Sequence, residues 1–152
     1  MNIASRMGVD LSPIDPTLEG ERLLAYIWPD QPERLARIAA AIDCARANPT
    51  PVDRGDAADW IERSLPTEPV PGVTRVVLHS IAFQYFPSRT QARIRAHIEK
   101  AGALATHRAP VAWLRFEMLA GESQASLRLR SWPGEERQLA WAHPHGSEIR
   151  WL

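Results

Sequence analysis

Apolar residues along the chain recur at helical spacing in some stretches and at strand spacing in others, and turn-forming residues lie between them. Leu35, Ile38, Ile42 and Ala45 fall three or four apart, so they line one face of a helix. Pro32 suits its first position with Gln31 or Asp30 as cap, and its end is expected near Asn48, before Pro49. A shorter helix is expected from Thr17 to Trp28, and another runs from a cap at Asp56 to about Leu65, with acidic residues at its positive end. Ser88-Arg89-Thr90-Gln91 has the form of a capping box. The helix it opens turns Ile94, Ile98 and Ala101 inward and stops at Gly102. Val73 to His79 holds the run Val76-Val77-Leu78, the pattern of a strand buried on both faces. Val111 to Leu119 reads as a second strand, with Ala112, Leu114, Phe116 and Met118 on one face and Arg115 and Glu117 on the other. Beyond it the pattern changes to alternation: Leu127 and Leu129 against Arg128 and Arg130. A turn at Pro133-Gly134-Glu135-Glu136 leads into Arg137 to His143, and a second at Pro144-His145-Gly146 into an edge strand at Glu148 to Leu152. Val52 marks a very short apolar stretch, and Gly8 to Pro16, rich in proline and aspartate, reads as a loop with turns.

Strand, helix, strand makes a βαβ unit with parallel strands and a right-handed crossover. The fold class expected is α/β: a truncated Rossmann-like sheet with a parallel βαβ unit and a C-terminal antiparallel hairpin region. A single domain over residues 1–152 is expected, with an irregular lead-in at 1–16, a mainly helical part at 17–65 and a sheet-forming part at 73–152. No G-x-G-x-x-G turn occurs in the chain. In sheets of this type that turn holds a cofactor's phosphates against a helix N-terminus. The expectation is therefore a polar crevice without the element that usually holds a cofactor in it.

Composition narrows the function classes. A chain of 152 residues, 45% hydrophobic, can bury a core without disulfides or metals. Eighteen Lys and Arg balance 18 Asp and Glu, so no net field draws in DNA or an anionic membrane. The single cysteine, Cys44, allows no disulfide framework and points to the reducing cytoplasm. It is expected as a small buried residue of its helix, with a reactive thiol as the alternative. No stretch approaches the roughly 20 apolar residues of a membrane helix.

Ligands of open α/β sheets bind outside the carboxyl ends of the strands, where His79 and Ser80 fall. The histidine is a candidate proton carrier, and Ser80, Gln84 and Tyr85 are candidates to orient a polar ligand. The alternative is structural, with His79 and Tyr85 bonding the loop that follows. Arg115 and Glu117 share a face and complete the catalytic candidates with His79. Either Arg115 pairs with Glu117 or an Asp, or it holds a carboxylate or phosphate beside His79. His143 and His145, even with His79, His97 and His107, lack metal-ligand spacing, and no metal is expected. Neither a G-x-S-x-G elbow nor a phosphate-binding G-x-x-x-x-G-K-[ST] loop is present. With no basic groove to accompany them, the six tryptophans are assigned to packing and interfaces.

One combination of motifs is distinctive: Ala25-Tyr26-Ile27-Trp28-Pro29-Asp30-Gln31 with Arg34 and Arg37, then His79-Ser80 with Gln84-Tyr85, then Ala112-Trp113-Leu114-Arg115 with Glu117. Trp132-Pro133-Gly134 and Pro144-His145-Gly146 complete it. Over nearly the whole chain it resembles the bacterial family known as domain of unknown function 2332. The resemblance implies a C-terminal half. Family members are usually about twice as long, with a helical N-terminal part and a glycine-containing segment like the first methyltransferase motif. It also implies the order of the back half of a class I methyltransferase: third strand near Val52, fourth at Val73 to His79, fifth at Val111 to Leu119. In that frame Asp56 falls where an acidic residue contacts adenine and Asp10 near a ribose, against their plainer roles as helix cap and turn residue. Two functions follow. One is a non-catalytic or incomplete methyltransferase-like domain acting as a subunit, paired with a second copy or with an N-terminal partner chain. The other is an S-adenosylmethionine-dependent enzyme, whose cofactor would bind only if that N-terminal half is supplied.

Overall fold

The computed structural model describes residues 2–119 and 121–152. They divide into two compact units, the first running to Ala57 and the second from Ala58 to Leu152.

The first unit contains β1 (Gly8–Asp10), α1 (Gly20–Ala25), α2 (Pro32–Ala47) and β2 (Val52–Arg54). β1 and β2 pair in parallel, Gly8 opposite Val52 and Asp10 opposite Arg54. The opening segment is therefore not wholly loop: three of its residues join a ladder, which local sequence cannot reveal because the partner lies over forty residues away. Asp10 and Asp15 act as turn residues, their Oδ1 atoms accepting the amides of Ser12 and Thr17 at 2.7 Å. α2 begins with Pro32 at its first turn and buries Ile42, with Leu35, Ile38 and Ala45 half-buried on the same side. Cys44, expected inside, is exposed. It lies two positions beyond Ile42, about 200° around the helix from the inward face.

The second unit is built on a five-stranded sheet in the order β3 (Arg75–Ser80), β4 (Val111–Met118), β5 (Ala125–Trp132), β6 (Glu136–Ala142), β7 (Ile149–Trp151). β3 and β4 are parallel and the remaining pairs antiparallel, so the βαβ unit and the hairpin region stand as expected. The strand at Val52 does not join this sheet: it pairs with β1 in a separate two-stranded ladder. The mixed α/β class holds, with two sheets in place of one.

α3 (Ala57–Ser64) and α4 (Ser88–Ala103) complete the unit. They are joined by Arg93, whose guanidinium donates to Asp59 at 2.7 Å and to both oxygens of Glu62 at 2.5 and 3.0 Å. His97 Nε2 meets the Leu65 carbonyl at 2.8 Å. α4 buries Ile94, Ile98, Ala101 and Gly102. The capping box does not form. Pro87 takes the cap position, Ser88 is the first helical residue, and the Gln91 side chain donates to the Phe86 carbonyl at 2.9 Å. The extended backbone of Pro87 starts the helix one residue early, which puts the serine hydroxyl inside the helix. Gly102 is not a helix stop. It lies in the last turn, and an added Cβ would come within 2.4 Å of the Trp132 ring.

α4 covers the sheet face that carries Val111, Trp113 and Glu117, all buried. The opposite face is apolar and open. Val76 and Leu78 are 62% and 63% exposed, and Leu114, Phe116, Leu127 and Leu129 are only half-buried. β3, expected to be buried on both faces, is thus an edge strand with one bare face. Of its run of aliphatic residues, Val77 is half-buried while Val76 and Leu78 are exposed. Among the described residues, no helix is long and apolar enough to cross a membrane.

Candidate functional site

β4 decides the geometry. Its odd-numbered residues, Trp113, Arg115 and Glu117, point toward the α4 side. The parallel register sets His79 opposite Arg115. The chain leaves β3 through Ile81, which has a left-handed φ of 47°, and enters a single 3-10 turn at Phe83–Tyr85. That bend aims the amides of Ala82 and Phe83 back at the sheet.

Those amides converge on Glu117. Its Oε1 accepts Ala82 N and Phe83 N, each at 3.1 Å, and lies 2.6 Å from His79 Nδ1. Trp113 Nε1 lies 3.0 Å from His79 Nε2. An indole N–H can only donate, so Nε2 accepts and the neutral imidazole carries its proton on Nδ1, which donates to the carboxylate. Phe83 stacks on the imidazole, centroids 4.9 Å apart and planes 18° from parallel. Glu117 is only 8% exposed. Burial pushes its pKa up, but the bonds from His79, Phe83 and Ala82 outweigh burial and hold the carboxyl below the ordinary carboxylate range. Both imidazole nitrogens and one carboxylate oxygen are thereby engaged within the chain, while Glu117 Oε2 is buried with no hydrogen-bond partner among the described residues.

A cavity of about 220 Å³ lies at the carboxyl ends of β3 and β4. Its walls include His79, Gln84 and Glu117 on the sheet side, Gln91 and Arg95 from α4, and Arg128 from β5. Arg115 also lines it. The pairing of Arg115 with Glu117 does not occur. Arg115 Nη2 lies 2.6 Å from Glu136 Oε2, and Arg128 Nη1 lies 3.7 Å from Glu136 Oε1. Glu117 is drawn instead to the amides beyond β3, which leaves β6 to supply the acid for Arg115. Arg115 also stands over Trp113 at 4.6 Å from the ring centre.

Placed against known proteins, the family described as an uncharacterized protein conserved in bacteria (DUF2332) matches residues 1–151. The chain belongs to that family. No curated protein and no solved structure matches it.

In this DUF2332 chain the cavity gathers His79, Arg115, Glu117 and Gln84, the last accepting the Met118 amide at 3.2 Å. The other candidates fall elsewhere. Ser80 is exposed and follows His79 on the strand, so its side chain leaves from the opposite face. Tyr85 is 74% exposed and does not line the cavity. Asp56 belongs to the first unit and immediately precedes α3. Sequence reasoning missed Trp113, Phe83, Arg95 and Arg128. The period of two that joined Arg115 to Glu117 also includes Trp113, and Arg95 lies one helical turn after Gln91, so both signals were present. No local pattern points to Phe83.

Proposed function

We propose that this DUF2332 chain acts as a subunit that associates with a second copy of itself through the edge of β3 and the open apolar face beside it. The observation that carries this reading is the exposure of Val76 and Leu78, 62% and 63%, on a terminal strand whose other face, at Val77 and His79, is half-buried. Parallel strands are found almost only in sheets covered on both faces. An edge without charge or proline on its open face also lacks the usual protection against pairing. Antiparallel pairing of β3 with β3 of a second copy across a two-fold axis would satisfy the edge amides and carbonyls and join the two apolar faces. The presence of a single cysteine, Cys44, and hence of no disulfide framework supports work in a reducing cytoplasm. Sedimentation at micromolar concentration should show a dimer, and Val76→Lys with Leu78→Lys should return it to monomer with its helical spectrum intact. A wild-type monomer removes this reading.

A second reading rests on the position of the cavity. Carboxyl ends of parallel strands are where open α/β sheets hold ligands, and the β3-α4-β4 unit supports kinship with Rossmann-like, methyltransferase-like sheets. In that reading Glu117 and Arg115 contact the ligand, His79 positions Glu117, and S-adenosylmethionine is the cofactor. A space of about 220 Å³ is smaller than the roughly 300–1,000 Å³ typical of drug-sized ligands. The cofactor would accordingly need walls from another segment or chain. Titration calorimetry with S-adenosylmethionine decides the matter for the chain alone: saturable heat supports the enzyme, and none at high protein concentration removes it.

A further inference from the structure

The charges around the cavity are not balanced from within. Arg115 and Arg128 stand directly opposite each other on β4 and β5, an arrangement of like charges that is ordinarily destabilising. They share a single acid, Glu136, at 2.6 and 3.7 Å. The Nε donors of both arginines are buried with no acceptor. A third guanidinium, Arg95, leans over the Phe83 and Trp113 rings at 5.9 and 5.7 Å, exposed to solvent. Among the described residues it has no ion pair. Three guanidiniums face two carboxylates, Glu117 and Glu136, and His79 contributes no charge in the tautomer its bonds impose. One positive charge is left over, at the rim of a space that also has apolar walls at Phe83, Met118 and Leu119.

We propose that this cavity binds a small organic monocarboxylate, its carboxylate held by Arg95 and Arg128 and its apolar body against Phe83 and Leu119. The fork of a guanidinium fits the two oxygens of a carboxylate. Cation–π contact fixes Arg95 in place while leaving its N–H groups free to donate. One excess positive charge matches a monoanion. A phosphate monoester, carrying about −1.5 to −2 at neutral pH, would overcompensate it beside the buried Glu117. The proposal is independent of self-association, since the cavity lies on the α4 side of the sheet and the β3 apolar face on the other.

The full chain, labelled with ¹⁵N, is titrated with acetate, butyrate and benzoate, and separately with benzamide and inorganic phosphate, while the arginine Nε–Hε signals are followed. Saturable shifts at Arg95 and Arg128 with at least one carboxylate are expected. Arg95→Gln should weaken that carboxylate at least tenfold, while Arg63→Gln, on the exposed side of α3, leaves it unchanged. Benzamide should not compete, and phosphate should bind at least tenfold more weakly. The absence of a saturable shift with all three carboxylates overturns the proposal. So does an unchanged affinity in Arg95→Gln, or phosphate or benzamide binding as tightly as the carboxylate. Arg95 is exposed, so its variant tests binding without burdening the fold.

Discussion

Glu117 shows how far a single residue could be read in advance. Its place on β4, its face and its company with Arg115 follow from a period of two. Its partner does not, because His79 is brought to it only when β3 pairs in register and the chain turns at Ile81 to present two amides. A bonded, buried carboxylate has a defined pH signature. Its folded pKa is held below the ordinary 4.5, so the stability it contributes is complete above the unfolded value and is lost as pH falls below that range. Urea unfolding of wild type should therefore lose stability on acidification below about pH 4.5, and Glu117→Gln should flatten that part of the curve. At pH 7 the same variant should be less stable by about 1.5–3 kcal/mol, the scale of hydrogen bonds to a charged acceptor. An unchanged acid limb would show that Glu117 is not held by these bonds. At this scale the sequence singled out His79, Arg115, Glu117 and Gln84, and all four line one cavity. It mispaired Arg115, because an acid on β6 can be placed only after β5 and β6 have aligned.

Elements were legible where one face is buried by a neighbour close in sequence. α2 and α4 lie where helical spacing put them, and β4 to β7 deviate from the expected bounds by a residue or so, because alternation in antiparallel strands records which side is wet. Features that depend on distant partners were not legible: β1, whose ladder partner is β2, and the use of Gly102. Inside α4 and without a left-handed φ, the Gly102 backbone by itself would accept alanine. As a contact surface for Trp132 it would not, since a Cβ there meets the ring at 2.4–2.8 Å. Gly102→Ala gains helix propensity of about 1 kcal/mol but must displace a large ring, at a typical overpacking cost of about 1–3 kcal/mol. The net expectation is a lower melting temperature, by roughly 2–4 °C per kcal/mol for a chain of this size. A second change, Trp132→Leu, should relieve the penalty of the first. A melting temperature raised by Gly102→Ala alone would place the ring elsewhere.

At the scale of the whole molecule, the bare face of β3 is the principal consequence of the fold. If a second copy covers it, association binds the folded form only, so the melting temperature should rise with protein concentration. A flat value from about 1 to 100 times the lowest concentration would argue against a folded dimer. The amino-acid pattern by itself determined the class of the chain, the order and type of most elements, the parallel βαβ unit and the polar face of β4. These follow from local periodicity and turn chemistry, which act within a few residues. Only the tertiary structure decided that the chain makes two sheets, that β3 is an edge with one face open, and that Glu117 serves His79 while Arg115 and Arg128 share Glu136. Those outcomes depend on which strand finds which neighbour. Hydrophobic runs state that a side chain prefers burial, but they carry no record of what will cover it.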